Sequence, residues 1–261
     1  MDFGIKGKTV VVTGGATGIG RAIAQTFHDE GATVIINGRT QSKLDTACSE
    51  IGERAHGVVA DLRSTDGAKT LFEFANGFGP IEFLVNNIGV FDVNDFFEVS
   101  DERWMEYFDH NIMTSVRISR LVLKDMLDRN SGSIVFISSE AAIRSIGNMT
   151  PYSTTKSAML GLSRSLAELT RGTDVRVTSY MPGTTATESV MGYFQGLAEE
   201  QGKTVEQALD DFYRDVQPGN LPQKLIDPAM HGRGVVQLAT NPAMNGICHR
   251  ADGGTIRSIF G

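Results

Sequence analysis

A short β-branched run that breaks into glycines and then into a helical pattern limits this chain more than any other feature. Residues 8–13 read K-T-V-V-V-T, apolar on both faces, as in a strand covered by layers on either side. Gly14-Gly15-Ala16-Thr17-Gly18-Ile19-Gly20 follows, and RAIAQTFHDEG then carries helical spacing as far as Gly31. A strand, a glycine-rich turn and a helix N-terminus make an anion site. The glycines let the backbone approach a pyrophosphate, and the unpaired N–H groups and helix dipole favour its charge. The spacing is G-x-x-x-G-x-G, not the commoner G-x-G-x-x-G, and a turn that binds nothing would read similarly.

The alternation then repeats. The strand ATVIIN ends at Asn37, a helix covers 41–52, and the strand AHGVVA leads into Asp61-Leu62-Arg63. A helix starting near Ser64 runs to Phe78, and I-E-F-L-V at 81–85 ends in Asn86-Asn87-Ile88-Gly89. Later strands are SGSIVFIS, DVRVTSYM before Pro182-Gly183, and one near 247–251, with a last helix over 228–240. Continuous apolar strands between helices predict an α/β fold. The expected form is a Rossmann-like, doubly wound parallel sheet of about seven strands with helices on both faces. Nothing divides the chain, so 1–261 reads as a single domain with a helical insertion at about 184–227. There Thr204 and Gln207 form a capping box, followed by Ala208, Leu209, Phe212 and Val216 on one face; Met191, Tyr193, Phe194 and Leu197 precede it. This segment reads as a substrate lid or as an ordinary packed helix pair.

Composition removes several classes. The net charge of -7 argues against a nucleic-acid surface, and no apolar run is long enough to span a membrane. Cys48 and Cys248 read as unpaired thiols of a reducing compartment, and the scattered histidines give no metal spacing. The start of the chain reads as a strand and not as a signal peptide, so a cytoplasmic location is expected.

Ligands of doubly wound sheets sit at the carboxyl ends of the strands, where Asp61, Asn87 and Gly89 fall. After the second strand no carboxylate is present to hold the ribose hydroxyls of NAD; Arg39 stands nearby, suited to a 2′-phosphate or simply solvated. NADP(H) is therefore the expected cofactor, with NAD(H) as the alternative. Over 101–129 a long helix is expected, with Trp104, Phe108, Ile112 and Val116 as its apolar stripe. Asn111 beside that stripe reads either as exposed or as marking a backbone distortion. Finally, Ser139 precedes Tyr152 and Lys156, which share one helix face. A neighbouring ammonium favours the phenolate and lowers the phenol's pKa, while the serine hydroxyl can hold a substrate oxygen. Alone, Tyr-x-x-x-Lys fits any amphipathic helix.

Together these residues resemble the short-chain dehydrogenase/reductase family across essentially the whole chain. T-G-G-A-T-G-I-G at 13–20 matches its cofactor loop, Asp61-Leu62 its adenine-side pair, N-N-I-G at 86–89 its N-N-A-G, and Pro182-Gly183 its P-G. Asn111, Ser139, Tyr152 and Lys156 match its catalytic tetrad. The resemblance implies cofactor contacts from Gly14, Thr17, Gly18, Ile19, Gly20, Arg39, Asp61, Leu62, Asn87, Gly89, Tyr152, Lys156, Pro182, Gly183 and Thr184. It implies hydride transfer between NAD(P)(H) and a carbonyl or secondary alcohol. Tyr152 is the implied acid/base, Lys156 its modulator and ribose ligand, Ser139 the carbonyl's partner and Asn111 the holder of a water. Ile88 departs from the usual alanine, Ala16-Thr17 stands where many NADP-preferring members carry a cation, and 227–230 read D-P-A-M.

For substrate, a 3-oxoacyl thioester comes first, with another hydrophobic alcohol, a steroid or a sugar as alternatives. Arg144, Lys203, Arg214 and Lys224 are candidates for an acyl-carrier-protein patch, mixed with Glu199, Glu200, Asp210 and Asp211. A non-catalytic dinucleotide sensor, or a dehydratase or epimerase on the same scaffold, are the readings from other classes. Family analogy implies a homotetramer or homodimer through the 101–129 and 153–170 helices and the last strand.

Overall fold

The computed structural model describes residues 3–258. Seven strands form one parallel sheet in the order β3-β2-β1-β4-β5-β6-β7. They are β1 (Thr9–Thr13), β2 (Thr33–Gly38), β3 (Ala55–Val59), β4 (Ile81–Asn86), β5 (Gly132–Ile137), β6 (Val175–Pro182) and β7 (Cys248–Ala251). Strand order reverses between β1 and β4, so the crevice expected of such sheets opens beyond their carboxyl ends.

Period-two alternation splits the apolar strands between two cores. Val10, Val12 and Ile36 face α1 (Gly18–Asp29), α2 (Gln41–Ile51) and α9 (Pro228–Thr240), packing with Phe27, Leu44 and Val235. Val11, Ile35 and Leu84 face the opposite layer: α3 (Thr65–Asn76), α5 (Thr114–Arg129) and α6 (Thr150–Glu168), which bring Leu71, Val122 and Met159. The doubly wound sheet expected from the sequence is thus the architecture found.

The helix expected over 101–129 is broken. α4 (Asp101–Phe108) passes into a π-helical turn at Asp109–Met113 before α5 resumes. An extra residue in that turn shifts the helix phase. The buried face runs through Tyr107, Asn111, Thr114, Ser115 and Ile118. Trp104, Phe108, Ile112 and Val116, the expected stripe, are only half-buried. Asn111 is fully buried, which settles its two readings in favour of the distortion.

Over 184–227 lie α7 (Glu188–Gln201), α8 (Val205–Asp211) and a second π-helical turn, Phe212–Val216. The Thr204–Gln207 capping box is present. Phe194, Ala198 and Ala208 form a small separate core with Leu197, Leu209 and Phe212. Val216, expected on that face, is exposed because the π-turn rotates it away, and Met191 and Tyr193 are exposed as well.

Candidate active site

The carboxyl ends of the strands frame a cavity of about 1010 Å³ that runs from the glycine loop to the lid helices. Every candidate position from Gly14 to Thr184 lines it except Asn111, which stands behind Gly89.

At the glycine loop, Gly14 and Gly18 have φ of 62° and 55°, a conformation that side chains disfavour. A Cβ at Gly20 would lie 2.6 Å from Gly14 O, so the loop folds tightly against its own helix. Asn87 holds it there: its Nδ2 donates to Thr13 O at 3.0 Å, and its backbone N–H donates to Thr13 Oγ1 at 2.9 Å. Thr17 caps α1 with extended backbone, yet its hydroxyl accepts no hydrogen bond from the first turn. The helix N-terminus therefore keeps donors and a hydroxyl for an anion. Ile88, the departure noted above, packs beside the loop, with Cγ1 3.2 Å from where a Gly14 Cβ would stand.

On the far side, Asp61 accepts from the backbone N–H and guanidinium of Arg63. That guanidinium holds the carboxyl down at about 2. Arg39 lines the cavity mouth and makes no ion pair among the described residues. Asn37, which ends β2, is committed to structure: it accepts from Gly14 N–H and donates to Ala60 O. The end of β2 thus presents an arginine without an ion-pair partner among the described residues and no free carboxylate.

At the other end, α6 starts at Thr150 with Pro151 in its first turn and presents Tyr152 and Lys156 to the cavity. Lys156 is buried; its Nζ donates to Ile137 O at 2.9 Å and lies 5.7 Å from the centre of the Tyr152 ring. Burial lowers this ammonium to about 8. Burial pushes the Tyr152 phenol up to about 12, opposed by the Ser139 hydroxyl and reinforced by the Glu140 carboxyl. Burial is the largest influence on the phenol as it stands, while the Lys156 amine is hydrogen-bonded to the strand-end carbonyl of Ile137. Gly89 is explained by proximity: a Cβ there would stand 3.1 Å from Lys156 Nζ and 3.7 Å from Asn111 Oδ1.

The π-turn aims Asn111 inward, where Oδ1 accepts from Val90 N–H at 2.8 Å and Nδ2 donates to Val90 O and Thr155 Oγ1. Its side chain thus braces the post-β4 loop and α6 as well as bordering Lys156. Ser139 ends the β5 segment; its Oγ accepts from Ala141 N–H at 3.2 Å, while the neighbouring Ser138 donates to Lys156 O. Pro182 closes β6, and Gly183 permits the chain to pass Asp252, whose Cα a Cβ would meet at 2.8 Å. Thr184 turns to Gln217 and Glu140. Glu140 and Gln217 line the cavity but carry none of the motifs; an acid directly after the serine pair was the only available signal. Among the described residues no cluster of His, Cys, Asp or Glu could hold a metal, and no helix is long and apolar enough to cross a membrane.

A parallel sheet with a glycine loop at its switch point and a Ser–Tyr–Lys group beside it defines a nicotinamide-dinucleotide oxidoreductase. The chain belongs to the short-chain dehydrogenase family, whose model matches residues 8–198. It is similar to the uncharacterized oxidoreductase YvrD of Bacillus subtilis, 43% identical over 99% of this chain and 100% of that one. The 3-oxoacyl-[acyl-carrier-protein] reductase FabG of Haemophilus influenzae is 32% identical over 70% of this chain and 76% of its own. Among solved structures, L-sorbose reductase from Gluconobacter frateurii, complexed with NADPH and L-sorbose, superposes with a TM-score of 0.93. It is 27% identical, over 99% of this chain and 100% of that one.

Proposed function

We propose that this chain is an NADPH-dependent carbonyl reductase of small molecules. The observation that carries this is the convergence of Ser139, Tyr152 and Lys156 at one end of a cavity whose other end holds the glycine loop and the unpaired Arg39. The L-sorbose reductase structure, with its NADPH, supports the same reading.

Thr17 and the backbone N–H groups of Gly18, Ile19 and Gly20 would hold the pyrophosphate, and Arg39 the 2′-phosphate. Asp61 and Leu62 would border the adenine, and Pro182, Gly183 and Thr184 the nicotinamide side. When bound, the nicotinamide supplies the hydride; the protein supplies position and proton. Ser139 Oγ donates to the substrate's carbonyl oxygen and fixes it beside the Tyr152 phenol. Tyr152 gives that oxygen its proton as negative charge develops there, since a phenol raised to about 12 stays protonated until a stronger base forms. Lys156 then faces the new phenolate and stabilises it. Asn111 Oδ1 keeps a second lone pair for a water that returns the proton from solvent.

The substrate class favours a compact ketone over a carrier-bound thioester. Lys203 pairs with Asp211, Arg214 with Asp211 and Asp215, and Arg144 donates to Val216 O, so three of the candidate docking cations are already engaged. An apolar stretch of α5 and α6, including Leu123, Leu127, Leu162 and Leu166, is the proposed self-association surface of a homotetramer or homodimer.

The test is loss of reduced-nicotinamide absorbance with NADPH or NADH against ketones, sugars and 3-oxoacyl thioesters. Turnover with NADPH is expected, and its absence with every carbonyl would overturn the reading. Arg39→Leu should raise the KM for NADPH by about 10-fold or more, from loss of a charge-assisted contact, and leave the KM for NADH almost unmoved. An equal effect on both cofactors would remove Arg39 from the 2′-phosphate site.

A further inference from the structure

His231 is a buried imidazole near the start of α9 for which the reaction above has no use. Both ring nitrogens are engaged. Nδ1 lies 3.1 Å from the Tyr180 hydroxyl on β6, and Nε2 lies 2.8 Å from Thr185 Oγ1. Thr185 Oγ1 donates in turn to Gly183 O at 2.7 Å. Gly234, further along α9, makes room for the phenol, since a Cβ there would meet the Tyr180 oxygen at 2.5 Å. Tyr180 and Thr185 are buried as well, so these contacts lie in the interior.

The chemistry gives this chain of contacts one direction. A carbonyl only accepts, so the single Thr185 hydroxyl proton goes to Gly183 O, and the Thr185 oxygen accepts from His231 Nε2–H. Nδ1 is then bare, and the Tyr180 hydroxyl donates to it. The other tautomer would strand the Tyr180 proton in the interior and take from Gly183 O its donor. Burial holds the imidazole neutral, down at about 4, so the order persists at neutral pH. Tyr180, His231 and Thr185 thus carry a fixed geometry from the core to the segment that leaves β6. A planar peptide turns as one body, so holding Gly183 O also sets the Thr184 N–H. Gly183, Thr184 and Thr185 line the cavity, and Thr187 Cγ2 comes within 3.2 Å of where a Gly18 Cβ would stand on the glycine loop.

We propose that His231 is a positioning residue for the cofactor: by donating from Nε2 to Thr185 Oγ1, it fixes the Gly183–Thr185 backbone that borders the nicotinamide side of the cavity. This rests on the NADPH reading of the same cavity. His231 itself touches neither cofactor nor substrate and acts through Thr185. Its two nitrogens have separable tasks, Nδ1 satisfying a phenol in the core and Nε2 holding the cavity edge.

The test is NADPH fluorescence titration, beside thermal unfolding, of wild type, His231→Gln, His231→Asn and Thr185→Val. A glutamine places an amide N–H near the position of Nε2, and an asparagine places an amide oxygen near that of Nδ1, so each keeps one half of the chain. Both variants should unfold at lower temperature, because each leaves one buried partner unserved. Their affinities should part. His231→Gln should bind NADPH within about 2-fold of wild type, and His231→Asn should bind it about 5-fold or more weakly. In a Thr185→Val background the difference between Gln and Asn should vanish, since the partner they compete to serve is gone. Thr185→Val alone should weaken NADPH binding at least as much as His231→Asn, which decides the matter if the histidine variants fail to fold. Equal affinities in Gln and Asn, a difference that persists beside Thr185→Val, or an unchanged affinity in Thr185→Val overturns the proposal. Failure of wild type to bind NADPH overturns the cofactor reading, and this proposal with it.

Discussion

Tyr152→Phe is expected to lower kcat/KM for carbonyl reduction by about 10²- to 10⁴-fold, the range a positioned general acid contributes. The ring remains and only the hydroxyl goes, so the edge contact with Phe91, whose ring centre is 6.0 Å away, should persist. Cofactor affinity should barely move, because the glycine loop, Arg39 and Lys156 are untouched. NADPH fluorescence titration beside steady-state kinetics reads both quantities. A variant that retained more than about a tenth of the activity would place the proton donor elsewhere. One that lost NADPH binding in parallel would make Tyr152 a packing residue. Burial holds the phenol protonated at neutral pH, so the donor is present there in its proton-bearing form, as a weaker acid than a free phenol.

Lys156→Met carries the second large effect, and it has two signs. Activity should fall by about 10²-fold or more, because the cation that stabilises the departing phenolate is gone. Stability of the cofactor-free protein should rise. A folded pKa of about 8 against an ordinary 10.5 means the native state resists protonation, a cost on the order of 3 kcal/mol below pH 8. Losing the hydrogen bond to Ile137 O returns about 1 kcal/mol of that, leaving a net gain of about 1–2 kcal/mol at pH 7. Between pH 8 and 10.5 the unfolded chain binds more protons than the native one, so wild-type stability gains on the variant as pH rises, and the difference closes above that window. Thermal unfolding of both proteins across pH 7–10.5 measures it. A pH-independent difference would show that Lys156 is not buried as a charge. Burying a cation here at the expense of stability is what a working site, and not a structural one, would require.

Most of the architecture was legible because it follows from patterns of a few residues. Strands buried on both faces read as apolar runs, helices began at recognisable caps such as Ser64 and Thr204, and glycines marked the turn that must take positive φ. What escaped were deviations from regular period. Two π-helical turns interrupt helical stretches, one holding the buried Asn111 and the other leaving Val216 exposed. No local composition announces such a turn; the one at Asp109–Met113 is held by tertiary hydrogen bonds, Val90 N–H donating to Asn111 Oδ1 and Asn111 Nδ2 donating to Thr155 Oγ1. Site residues with a motif were placed at the cavity or directly behind it. Glu140 and Gln217 were not, because their pairing joins parts of the chain far apart in sequence and only the folded lid brings them together. Sharing a helix face with Lys156 brought the amine to 5.7 Å from the Tyr152 ring centre, but its hydrogen bond to Ile137 O could not be read from that spacing.

The π-turn at Asp109–Met113 has a consequence for how this region tolerates change in length. Removing the extra residue from the turn would let α4 and α5 merge into a continuous rod whose own hydrogen bonds are better satisfied, with each half keeping its buried face at Tyr107 and Ile118, but the local bulge that brings Asn111 to Val90 would be lost. The distortion therefore ties the length of this segment to the placing of one side chain, and its tightest specification is on the number of residues between α4 and α5. Substitutions at its half-exposed positions, such as Ile112, leave that number intact; an insertion or deletion does not.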